Sequence, residues 1–173
     1  TQVPALLARR VDPRSGVALV WGLANAGTDA NAIPQSGVIK GTLRTLSHDA
    51  WETLPPLVDD LIHSVPKPYG VGVSVVHHRG VPPVINDGGS IAVLDEAVHR
   101  CVTGGSVSGA RPSMGGEDFA WYLDRVPGAL ARLGVRTPGA AKTLDLHQSE
   151  FDVDERCIPI GVSLLTQVAL DVD

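Results

Sequence analysis

Aromatic residues are scarce: three Trp, two Tyr and two Phe make up 4% of the 173 residues. A stacking platform for single-stranded nucleic acid needs more of them. An excess of positive charge is also missing, since 14 Lys and Arg face 19 Asp and Glu for a net charge of -5. The electrostatic footprint of a DNA or RNA binder is therefore absent. No run of 18 apolar residues occurs, and the opening residues do not read as a signal peptide, so no membrane association is expected. Only two cysteines are present, Cys101 and Cys157. They are too few for a disulfide framework or a zinc ribbon and read as free thiols in a reducing compartment, the cytoplasm. What is present is a 43% apolar fraction against 19% charged residues. That excludes disorder as the main state and supplies a core for one domain or two small ones. Eleven arginines against three lysines fit a GC-rich bacterial source.

The opening stretch, residues 1–10, reads as the tail of a helix rather than a start, so the chain is expected to be a piece of something longer. Residues 17–22 and 37–45 read as strands, with a polar turn-rich loop between them from residue 24 to 31. Ser47 is a plausible N-cap, and Trp51, Leu54, Leu57, Val58, Leu61 and Ile62 follow at helical spacing. Pro55 and Pro56 fall inside that stripe and call for a kink or a late start. A third strand is expected over residues 71–78. The turn-rich segment 80–89 reads as a crossing between two lobes. Beyond it come a helix over 90–102 with Ile91, Val93, Leu94, Ala97, Val98 and Cys101 inward, a glycine-rich connection, and a short helix over 118–125. A strand over 129–135 and a closing helix over 153–170 complete the series. The fold class is thus mixed: a small α+β lobe over residues 1–81, then an α/β portion over 82–173.

Three features carry chemistry. Met114-Gly115-Gly116-Glu117-Asp118 precedes a helix; paired glycines let backbone approach a ligand, and a helix start offers free N–H groups. Taken alone it is as well an ordinary turn with acids where the helix dipole favours them. His147, among Asp145, Glu150 and Asp152, has the chemistry of a metal ligand, although a lone surface histidine reads the same way. No second ligand stands at metal-binding spacing, and a zinc or manganese site needs three or four. Asn31 and Arg44, read as a pair across the first two strands, could grip a carboxylate; a solvated strand arginine is the plainer alternative. Trp51 reads as core packing, and the His77-His78 pair is assigned no role.

In order along the chain, Arg10-Val11-Asp12-Pro13, Asn31-Ala32-Ile33-Pro34, Gly41-Thr42-Leu43-Arg44-Thr45 and Pro82-Pro83-Val84-Ile85-Asn86-Asp87 are followed by Met114-Gly115-Gly116-Glu117-Asp118-Phe119, Pro127-Gly128, Leu133-Gly134, and Leu146-His147 with Phe151-Asp152. This series resembles the zinc-peptidase-like amidohydrolases that include hippurate hydrolase, plant auxin-conjugate hydrolases and N-acetyl-diaminopimelate deacetylase. The resemblance implies a lid or dimerisation domain lacking its first strand over residues 1–81, and the C-terminal half of a catalytic α/β metallohydrolase domain over 82–173. It implies that Asn31 and Arg44 hold the substrate carboxylate, and that Gly115, Gly116 and Glu117 lie in the loop facing the substrate. It also implies that His147 is the last ligand of a centre of two divalent ions, zinc or manganese.

The family's other metal ligands, its general base and its lid histidine match nothing here, so no catalytic residue is assigned. The expectation is a portion of a metal-dependent amidohydrolase that cleaves N-acyl amino acids or short peptides. Alone it would be inactive, bind no metal tightly and form a homodimer through the lid lobe. A non-catalytic dimerisation module and a carboxylate-binding module are the alternatives.

Overall fold

The structure, a computed structural model, describes residues 2–102 and 107–172. Part of the expected glycine-rich connection lies outside them. The chain divides into two compact units: residues 1–84 with 112–121, and residues 85–111 with 122–173.

The first unit opens with helix α1 (Val3–Leu7), where Pro4 occupies the first turn and Val3 and Leu7 are buried four residues apart. A 3-10 turn at Pro13–Ser15 is capped by Asp12, whose carboxylate accepts from the Arg14 N–H. The Arg14 side chain also binds Asp12 and holds its carboxyl below the usual range. Strands β1 (Ala18–Ala26) and β2 (Gly37–Arg44) form an antiparallel hairpin running from Ala18 opposite Arg44 to Ala26 opposite Gly37. β1 therefore continues through Ala24-Asn25-Ala26, which had read as loop, because Gly37–Ile39 supply ladder partners. The register slips between Trp21 and Leu23. Trp21 lies opposite Gly41, where a Cβ would come within 2.6 Å of the indole, so only glycine fits under that ring.

Helix α2 (His48–Ser64) is capped by Ser47, whose hydroxyl accepts from the Ala50 N–H at 3.3 Å. Ala50, Leu54, Val58 and Leu61 are buried and pack with Val3 and Leu7 of α1, flanked by Val17, Leu19, Trp21 and Leu43. Pro55 and Pro56 neither delay nor end the helix. Each interior proline costs about 3 kcal/mol. Burying three residues such as Leu54, Val58 and Leu61 contributes about 1.5–3 kcal/mol each, enough to offset both.

The strand expected over 71–78 does not form. A strand needs a ladder partner, and among the described residues the sheet has only β1 and β2. The segment lies instead along α2, where His77 Nε2 is 2.7 Å from Asp59 Oδ1 and Arg79 pairs with Glu52 at 2.7 Å.

In the second unit, helix α3 (Gly88–Cys101) is capped by Asp87, which accepts from both Ser90 N–H and Ser90 Oγ. These bonds hold the Asp87 carboxyl below its ordinary range. Only Ala97 of α3 is fully buried, and Ile91, expected inward, is exposed. Helix α4 (Ala120–Leu123) is shorter than expected, and helix α5 (Cys157–Asp171), packed on α3, starts later. The expected strand over 129–135 is absent because its main-chain groups are used singly. Leu130 exchanges two hydrogen bonds of 2.9 Å with the Asn86 amide, Gly128 O accepts from Asp87 N–H, and Val135 O accepts from Asp154 N–H.

Candidate functional site

Arg44 ends β2 and is exposed. Its backbone position is fixed from the next residues, since Thr45 Oγ1 donates to Ser15 O at 2.8 Å and Leu46 N–H donates to the same carbonyl at 3.0 Å. From there its guanidinium donates through Nη1 to the main-chain carbonyl of Met114, 70 residues further along the chain. Arg44 and the glycine loop thus meet within the first unit.

That loop is seated at three points. Met114 O holds Arg44; a Cβ on Gly116 would lie 3.1 Å from Val81 Cγ2; and Trp121 stacks edge-on against Trp51, ring centres 5.9 Å apart. Between them, Gly115 N–H donates to Ser113 Oγ at 3.2 Å, and Glu117 O accepts from Ala120 N–H to open α4. The Glu117 carboxylate is exposed.

Asn31 is placed otherwise. It lies in the connection beyond the Ala26–Gly37 end of the hairpin, whereas Arg44 stands at the Ala18 end. Seven residue steps of β2, about 23 Å of strand, separate Arg44 from that connection. The two residues do not face each other across the strands, which corrects the paired reading. Their 13-residue offset arises from a long loop added to a full strand length.

His147, in the second unit, is exposed in a turn and is the one non-glycine residue with positive φ, 68°, among those described. The neighbouring Asp145 carboxylate is committed to the Leu146 N–H at 2.8 Å. Among the described residues no group of three or more His, Cys, Asp and Glu side chains stands close enough to hold a metal ion. The chain's own donor set therefore offers one imidazole and does not by itself fit a divalent ion, which needs at least three protein ligands. An open cleft of about 290 Å³ in this unit, lined by Val93, Glu96, Arg100, Leu170 and Asp171, holds none of the expected site residues. Its Arg100 is paired with Glu96 and Asp171.

Sequence reasoning missed the cluster around Trp51. This half-buried side chain carries the Arg79 guanidinium 3.6 Å from its ring centre and Trp121 at its edge. Arg79 also holds the Glu52 carboxyl below its ordinary range. The adjacent Trp51-Glu52 pair was the available signal; its cationic partner lies too far along the chain to be read from spacing.

The class of the chain follows from comparison with known proteins, which agrees with its mixed helix and strand fold. The chain matches the model of peptidase family M20/M25/M40 over residues 5–171 and belongs to that family. It is 46% identical over 165 residues to a Rhodococcus jostii protein named as a candidate glutamate–cysteine ligase 2-3, a match covering 95% of this chain but 21% of that protein. It is 32% identical to an N-acetyldiaminopimelate deacetylase of Streptococcus uberis, covering 91% of this chain and 41% of the relative. Against the N-acetyl-L-cysteine deacetylase of Bacillus subtilis the identity is 31%, covering 88% and 35%. The crystal structure of a Bacillus subtilis dinuclear metal-binding peptidase of the M20 family superposes with a TM-score of 0.80 at 26% identity, covering 97% of this chain and 45% of that one. The chain thus spans less than half the length of these relatives.

Proposed function

We propose that this chain supplies the carboxylate-recognition part and one metal-binding imidazole of a metal-dependent amidohydrolase acting on N-acyl amino acids or short peptides. The observation that carries this reading is the meeting of Arg44 with the Met114-Gly115-Gly116 loop. A guanidinium beside glycine main chain can hold a substrate carboxylate and present backbone groups to the neighbouring amide. Two deacetylases of N-acetyl amino acids among the similar proteins support the substrate class. Gly115, Gly116 and Glu117 line the substrate in this reading. Asn31 is not given a contact with the substrate that Arg44 holds, since the hairpin length separates them. His147 is one ligand of a centre whose remaining ligands do not stand beside it among the described residues, so no hydrolytic step is assigned to the chain alone. The free thiols of Cys101 and Cys157 support a reducing compartment.

Two measurements test this. The purified chain with Mn2+ or Zn2+ is expected to give no turnover of N-acetyl amino acids; turnover would refute the incomplete-site reading. By calorimetry or NMR titration, Arg44→Ala is expected to weaken N-acetyl-L-alanine binding about tenfold, the worth of one charged hydrogen-bonding partner. Unchanged affinity would remove Arg44 as the anchor.

A second reading is favoured by the hairpin surface, where Val20, Leu23, Val38 and Ile39 are all exposed. Such a surface suits a second copy of the chain. A concentration-dependent dimer that persists in chelator would support it, and a monomer at all concentrations would exclude it.

A further inference from the structure

We propose that the Met114 carbonyl is a positioning group for Arg44, so that the seating of the glycine loop sets how the guanidinium meets a ligand carboxylate. The inference rests on the carboxylate role given to Arg44 above and goes beyond it by assigning the loop a second task. A guanidinium has five N–H donors in a fixed planar fork. One Nη1 donor is taken by Met114 O, and among the described residues no other protein acceptor meets the remaining donors. An exposed arginine otherwise samples many rotamers and loses that freedom on binding. The carbonyl removes much of that cost beforehand while leaving the other edge of the fork open. A carboxylate held there is gripped by a side chain already oriented, which is how preorganisation raises affinity.

The loop cannot shift without Arg44 sensing it. Gly116 sits against Val81: a Cβ there, 3.1 Å from Val81 Cγ2, already crowds the side chain, and a branched side chain such as Val would have to move Val81 or the loop. Trp121 holds its far end on Trp51. The displacement would therefore fall on the segment that carries Met114 O. Besides lining the substrate, Gly116 acts through Arg44 as a positioning residue.

A double-mutant cycle on the full 173-residue chain, with N-acetyl-L-alanine as the probe, tests this. Gly116→Val is expected to lower affinity several-fold and Arg44→Ala about tenfold, with the double variant no weaker than Arg44→Ala alone. Additive losses, or wild-type affinity in Gly116→Val while Arg44→Ala is impaired, would overturn the positioning role and leave the anchor standing. If the wild type binds no carboxylate, both readings fall. A second readout needs no ligand. The Arg44 Nη–H signals of the free protein should show hindered rotation in wild type and averaged rotation in Gly116→Val; averaged signals in wild type would overturn the proposal. Should Gly116→Val not fold, Gly115→Ala provides the milder shift, its Cβ meeting Ser113 Oγ at 3.3 Å.

Discussion

Single residues in this chain divide into those that hold the backbone and those kept for something else. Asp154 belongs to the first kind. It accepts from Arg156 N–H at 3.0 Å and pairs with the Arg156 guanidinium, which brings its carboxyl from the ordinary 3.8 down to about 2. A carboxyl depressed on folding adds stability above its unfolded value and loses it as pH falls through the folded one. The Tm advantage of wild type over Asp154→Asn should therefore be full above about pH 5, shrink as pH falls through the unfolded and then the folded value, and vanish towards about pH 1. A pH-independent difference would show that the pair acts by packing alone. His147 belongs to the second kind. A left-handed residue with a Cβ costs about 1–2 kcal/mol, which glycine avoids at an entropic cost of about 0.5–1 kcal/mol. His147→Gly should thus be as stable as wild type in urea unfolding. A loss above about 1 kcal/mol would mean that the imidazole packs against the protein.

At the level of elements, α2 shows what a sequence declares and what it withholds. The Ser47 cap and the stripe of Leu54, Val58 and Leu61 are local, and both were legible from spacing. The prolines were legible too, but not their outcome, because burial against α1 decides it. Since neither ring lies on the fully buried stripe, Pro56→Ala should raise stability by up to about 3 kcal/mol in chemical denaturation, with Val58 still buried. No gain would place the ring in a contact worth as much as the lost hydrogen bond. The failed strands, 71–78 and 129–135, had strand-like composition. A ladder is a property of two segments, and neither carries its partner within itself. Conversely Asn86-Asp87 read as turn material, yet Asp87 caps α3 through Ser90 three residues on, and Asn86 clasps Leu130, a role visible only once a residue 44 positions away is in place.

For the molecule as a whole, burial is unevenly shared. Val3, Leu7, Ala50, Leu54, Val58 and Leu61 form one buried cluster in the first unit, whereas Ala97 and Cys157 are the fully buried apolar residues of the second. Along α5, Ile158, Val162 and Leu165 stand exposed on one helical face. Amide exchange should therefore be slower in α2 than in α5 for the isolated chain. Equal protection would show that α5 has found cover. The candidate site was half legible at this scale: Arg44 and the glycine pair could each be picked out by chemistry and resemblance, but their contact spans 70 residues and follows from no local rule. Asn31 and Arg44 show the reverse, since reading them as a pair across the first two strands suggested proximity and the hairpin length denies it. The Asn86 clasp has a last consequence. It closes a loop of more than forty residues with one amide side chain, so the chain must first surrender the entropy of that whole loop. Assembly of the second unit therefore waits on a distant encounter, as does the packing of α1 on α2 in the first, while the hairpin can condense from near neighbours.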